Sequence, residues 1–151
     1  KAIDVERRLS TCTLLLQRHQ KKSFLHRIVT GDEKWIRYDN PKRKKSWGRP
    51  GHKGKQKAKP NIHGSKNMLC IWWDQEGAVY HEVLKSNESI TGELYRKQLM
   101  RLNRALKEKR PHYGERHDKI IFQQDNARPH VARSVKTYLE TVKWEVLPHP
   151  P

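Results

Sequence analysis

Cysteine is scarce in this sequence. Cys12 and Cys70 are the only two, and neither belongs to a CxxC pair. That excludes a disulfide framework and a thiolate zinc site, and it fits a reducing compartment. Long apolar runs are missing too: none reaches the ~18 residues a membrane helix needs, and no secretory pattern is read at the start. Hydrophobic residues make up 34% of the chain, a low share for a globular domain. Five Trp and five Tyr supply large apolar side chains all the same, so one domain with a real core is expected over 151 residues. Acids are the other shortage. Sixteen Asp and Glu face 33 Lys and Arg, a net charge of +17. A field that positive attracts polyanions. Aromatics and histidines among the basic residues favour nucleic acid over an anionic membrane.

Periodicity predicts a mixed order of elements. Val5, Leu9, Cys12 and Leu16 recur at helical spacing within residues 1–28, followed by Phe24, Leu25 and Ile28. Val29–Tyr38 reads as a strand. Met68–Trp73, a short apolar run, and Ala78–Leu84 read as two strands of a hairpin around Asp74–Gly77. Thr91 is a candidate helix cap, with Glu93 in the first turn. Tyr95, Leu99, Leu102 and Leu106 then form one apolar face of a helix ending before Pro111. Lys119–Gln123 is a further strand. Pro129 suits the first turn of a helix whose buried stripe would be Val131, Val135, Tyr138 and Val142, and Trp144–Leu147 is a last strand. This is the order of a ribonuclease-H-like α/β fold: a mixed five-stranded sheet flanked by helices.

Between the first two strands lies a stretch of unusual composition. No acid occurs from Asn40 to Trp73, and residues 41–67 hold ten Lys or Arg, four Gly and three Pro. The composition predicts a long basic loop. A connection this long inside a compact domain is functional or disordered, and Trp47 and His52 within it favour function.

Two aspartates stand where chemistry is expected. Asp32 lies on the first strand and Asp125 at the end of the fourth, and in a ribonuclease-H arrangement these strands are neighbours. Two carboxylates so placed repel unless a hard cation sits between their oxygens. Mg²⁺ accepts such ligands and keeps positions open for water and phosphate. The plainer alternatives are a turn residue after Gly31 and a strand-end or capping residue. Nine histidines invite a zinc reading, but His63, His112, His117 and His149 show no HxH or HxxxH spacing. His149, between prolines, reads as a turn residue.

Four ordered motifs carry a family resemblance: Val-Thr-Gly-Asp-Glu-Lys-Trp-Ile at 29–36, Tyr-Asp-Asn-Pro-Lys-Arg-Lys-Lys-Ser at 38–46, Gln-Asp-Asn-Ala-Arg-Pro-His at 124–130 and Val-Leu-Pro-His-Pro-Pro at 146–151. Together they resemble the catalytic domain of mariner transposases, in the Tc1/mariner superfamily. The resemblance implies a triad of aspartates, with Asp32 as the first and Asp125 as the second; the third would fall beyond Pro151. It implies Mg²⁺ or Mn²⁺ as cofactor, and hydrolysis and strand transfer at TA sites. Transposon inverted-repeat ends and TA target DNA, a homodimer and the nucleus are the implied partners and place.

On this reading residues 1–28 are a helical lead-in and residues 29–151 the catalytic domain, with a clamp-like loop at 41–67. With two of three carboxylates, the 151 residues alone are expected to cut DNA poorly. Candidate DNA contacts are Arg43, Lys44, Lys45, Trp47, Arg49 and Lys53 in the loop, whose cations could equally bridge a partner protomer, and Arg128, His130 and Arg133 after Asp125. The competing expectations are a non-enzymatic DNA-binding or dimerising remnant and a basic RNA-binding module; the latter leaves the aspartate motifs unexplained.

Overall fold

A 20-residue helix, α1 (Ala2–Lys21), opens the fold and a 3-10 turn at Leu25–Arg27 leads into the first strand, β1 (Ile28–Arg37). Then follow β2 (Lys66–Asp74), β3 (Gly77–Leu84), α2 (Gly92–Lys109), the one-turn α3 (His112–Glu115), β4 (Ile121–Gln123), α4 (Arg133–Thr141) and β5 (Glu145–Val146). The computed structural model describes residues 2–37, 50–51, 66–85, 88–115 and 119–150. The expected basic loop therefore lies almost wholly outside the described residues. Within it, Pro50 and Gly51 form a turn, and Gly51 adopts a φ of 84°, where glycine carries no steric cost.

The sheet order is β3-β2-β1-β4-β5. The first three strands are antiparallel, whereas β4 runs parallel to β1 and β5 parallel to β4. This is the expected mixed five-stranded sheet. Its strands alternate between two buried faces. Val29, Cys70, Trp72 and Phe122 point into the larger core under α2 and α4, with Tyr95, Leu99, Leu102, Leu106, Val135, Leu139 and Trp144. Ile121 joins Phe24 and Leu147 on the other face, where Leu15 and Ile28 pack against them.

Helix α2 forms as its sequence predicts. Thr91 Oγ1 accepts the Leu94 amide at 3.1 Å, satisfying one of the open amides of the first turn, and the four expected residues are buried. Helix α1 differs. Val5, Leu9 and Leu16 remain 57% or more exposed, and none of its residues is buried. The helix meets the sheet along another stripe: Leu15 packs on the small core, and the Arg18 guanidinium lies 4.4 Å over the Phe24 ring while pairing with Glu145 of β5. Helix α4 also departs from expectation. Pro129 sits in a turn, not in the helix, since the amides of His130 and Val131 both reach the Ala127 carbonyl. The helix starts at Arg133, so Val131 is 41% exposed and the buried stripe is Val135 and Leu139, with Tyr138 and Val142 beside it.

Two contacts fix this frame tightly. Gly31 of β1 lies under the fully buried indole of Trp72, and a Cβ there would come within 2.5 Å of Trp72 Nε1. At the hairpin turn, Asp74 accepts from Arg110 Nε at 2.8 Å and Nη2 at 3.2 Å, and from the Glu76 amide at 2.9 Å. Burial alone would raise the Asp74 pKa, but Arg110, the Glu76 amide and Tyr113 together hold the carboxyl below its ordinary value. A depressed folded-state pKa contributes stability above the unfolded value, and that stability is lost as pH falls through the folded value.

Arg110→Ala is accordingly expected to cost roughly 3 kcal/mol at neutral pH, because it leaves a buried carboxylate uncompensated. It should also flatten the acid limb of a melting-temperature profile below about pH 4; an unchanged acid limb would contradict the role of the pair. Gly31→Ala should destabilise by about 1–3 kcal/mol through overpacking, measured by urea unfolding.

Candidate functional site

The parallel ladder between β1 and β4 pairs Ile28 with Ile121, Val29 with Phe122 and Thr30 with Gln123. Asp32 and Asp125 each stand two residues past that last pair, at the same end of the ladder. Asp32 remains within β1, paired with Ile71 of β2. Its exposed carboxylate accepts the Glu33 amide at 2.9 Å. Asp125 has left its strand. Its Oδ1 accepts the Ala127 amide at 2.9 Å, an Asx turn, and lies 2.6 Å from His130 Nδ1. No group of three or more His, Cys, Asp or Glu placed to hold a metal ion is found among the described residues.

Alternation sends Glu33 to the opposite face from Asp32, toward the larger core. There its Oε1 lies 3.1 Å from His130 Nε2. The imidazole thus bridges an acid from β1 and an acid from the exit of β4. It is 2% exposed and stacks on Tyr95 of α2, ring centroids 4.1 Å apart. The Tyr95 hydroxyl in turn donates to Gln124 Oε1 at 2.8 Å. Burial by itself would lower the His130 pKa; the hydrogen bond and charge of Glu33, aided by the charge of Asp125, outweigh it and hold the pKa above its ordinary value. Burial, then the Glu33 charge, raise the Tyr95 pKa, so the phenol stays neutral and able to donate. Cys70, opposite Glu33 in the β1–β2 register, is fully buried, and burial pushes its thiol up to about 11. Cys12 on α1 is exposed.

The candidate residues meet different fates. Asp32 and Asp125 are brought to one end of the ladder. Arg128 and Arg133 are exposed on the segment after Asp125. The phosphate contact expected for His130 needs correction: its ring is buried and both nitrogens face carboxylates, so neither is open to a phosphate. The segment beside Asp125 is likewise a turn, with the α4 N-terminus several residues further on. Arg43, Lys44, Lys45, Trp47, Arg49 and Lys53 lie outside the described residues. His149 is exposed on the irregular segment after β5, where its carbonyl accepts from Asn126 Nδ2 at 2.8 Å. Glu33, Tyr95 and Gln124 were not among the expected site residues. Glu33 adjoins Asp32 and Gln124 adjoins Asp125, but only the packing shows that these neighbours converge on one imidazole.

The transposase family with a partial DDE domain matches residues 37–116. Mariner Mos1 transposase of Drosophila mauritiana is 55% identical over 145 residues, which cover 96% of this chain and 42% of that protein. The human histone-lysine N-methyltransferase SETMAR is 39% identical over 145 residues, 96% of this chain and 21% of that protein. The crystal structure of the Mos1 mariner paired end complex with Mn is similar with a TM-score of 0.88 at 53% identity, over 99% of this chain and 44% of that one. The chain thus spans less than half the length of the relatives it matches. It belongs to the transposase family defined by a partial DDE domain, and over nearly its whole length it is similar to a mariner member of known structure.

Proposed function

We propose that this chain is the catalytic core of a DNA transposase, which hydrolyses phosphodiester bonds at transposon ends and joins the freed 3′ ends to TA target DNA. Asp32 and Asp125 supply carboxylates for a divalent ion, Mg²⁺ or Mn²⁺. One observation carries the reading: two residues beyond the last β1–β4 pair stands an exposed aspartate on each side, Asp32 still within β1 and Asp125 just past the end of β4. The relative 55% identical over this region is a transposase, and its solved complex holds paired ends and Mn.

The donor set suits such an ion. Both carboxylates are exposed and offer oxygen alone, and Mg²⁺ is commonly held by one or two carboxylates with waters completing its shell. When bound, the ion activates water and neutralises charge on the phosphate. The chain's own residues hold the reacting groups in place. The Ala127 amide and His130 restrain the Asp125 carboxylate, and the Glu33 amide restrains that of Asp32. Arg128 and Arg133 contact phosphates beside the site, and Arg43, Lys44, Lys45, Arg49 and Lys53 grip the DNA backbone, with Trp47 stacking on a base or packing. The working form is a homodimer on paired transposon ends, acting in the nucleus.

The test joins this chain to the C-terminal remainder of Mos1 and measures Mn²⁺-dependent nicking of inverted-repeat DNA. Asp32→Ala and Asp125→Ala are each expected to lower nicking by about 100-fold or more while DNA binding persists. Undiminished nicking in both variants removes the assignment; DNA binding without nicking in the unmutated protein supports a non-enzymatic remnant instead. Replacing Arg43, Lys44 and Lys45 together by Ala is expected to reduce the slope of log affinity against log salt by roughly 3, one per phosphate contact. An unchanged slope would assign those cations to protein contacts.

A further inference from the structure

We propose that Glu33 is a positioning residue for Asp125, acting through His130; this rests on Asp125 being a metal carboxylate and adds the device that aims it. Asp125 stands past the end of β4 with its side chain 55% exposed. A carboxylate in that place has little packing to hold its rotamer. Its restraints are the Ala127 amide and the His130 ring. The ring can restrain Asp125 only if it is itself held. Tyr95 fixes its plane from one side by stacking. Glu33 fixes its rotation within that plane, with Oε1 at 3.1 Å from Nε2.

The chemistry of the pair makes the connection directional. An imidazole placed between two acceptors satisfies both only by presenting hydrogen at each nitrogen. Glu33 is 13% exposed by its side chain and faces away from Asp32, so it is set to serve the ring and not the opposite face. Removal of its acceptor leaves a buried ring nitrogen without a partner, and the ring is then free to tilt off Asp125. Partners that orient a ligand in this way typically contribute 10–100-fold in metal affinity. A structural ion pair alone would alter stability and leave Asp125 where it is, which separates the two roles.

The experiment compares Glu33→Gln and Glu33→Leu in the 151-residue chain. An amide at position 33 can donate to or accept from Nε2, so it preserves the aim of the ring; leucine cannot. The first readout needs no metal: the Ala127 amide resonance in ¹H–¹⁵N NMR, since that amide donates to Asp125 Oδ1. The second is Mn²⁺ affinity by electron paramagnetic resonance. Glu33→Leu is expected to shift the Ala127 resonance and weaken Mn²⁺ binding by about 10–100-fold, and Glu33→Gln to stay within about 3-fold. Should the leucine variant fail to fold, Glu33→Asp, which withdraws the acceptor by one methylene, is expected to shift the Ala127 resonance in its place. An unmoved Ala127 resonance, or equal losses for Gln and Leu, would overturn the proposal. Asp125→Asn keeps the two readings apart: undiminished Mn²⁺ binding in that variant sinks the metal assignment, while the Ala127 resonance still decides what Glu33 does.

Discussion

Three residue pairs join β1 to β4, and the alignment of the candidate site depends on them. Parallel neighbours cannot be linked by a tight turn. The crossover here runs through β2, β3, α2 and α3, so nothing local sets the register. Burial sets it. Val29 and Phe122 face the larger core, while Ile28 and Ile121 face the smaller one. A slip of one residue would exchange these faces and drive each side chain into the core packed for the other. It would also put Asp125 out of step with Asp32. Hydrophobic packing on two sides of a short ladder therefore fixes the spacing of two charged groups that contribute little to stability themselves.

A chain with about twice as many cations as acids uses one buried carboxylate, Asp74, and two partly buried ones, Glu82 and Glu145, as sockets. Asp74 holds Arg110, Glu145 holds Arg18, and Glu82 receives Gln98 at 3.1 Å and Arg101 at 2.7 Å. Each of these pairs joins elements distant in sequence: the hairpin turn to the end of α2, α1 to β5, β3 to α2. The excess of cations over acids gives the molecule its positive field.

Much of this was legible in the sequence where one physical rule dominated. The α2 stripe and its Thr91 cap are local features, and the Met68–Trp73 run is a strand as expected, although only Cys70 and Trp72 in it are buried and Trp73 is exposed. Legibility failed where tertiary packing chose between locally equivalent options. The apolar stripe of α1 at Val5, Leu9 and Leu16 is genuine, yet the sheet takes the side bearing Leu15 and Arg18. Pro129 satisfies the rule for a first helical turn, but it is used in the reversal that carries His130 into the core. Asp32 and Asp125 were marked by their motifs. Glu33 was hidden because the significance of a strand residue depends on what lies across the sheet, and that partner comes from 97 residues away.

The two cysteines occupy opposite extremes of environment. Cys70 is sealed in the larger core on strand β2 with its proton tightly held, whereas Cys12 faces solvent on α1. Thiolate fraction and access both govern attack by an alkylating reagent. The native chain thereby carries a single addressable attachment point for a fluorophore or spin label, on the helix farthest in sequence from the aspartate at the exit of β4. Reaction at the second thiol would report opening of the core itself.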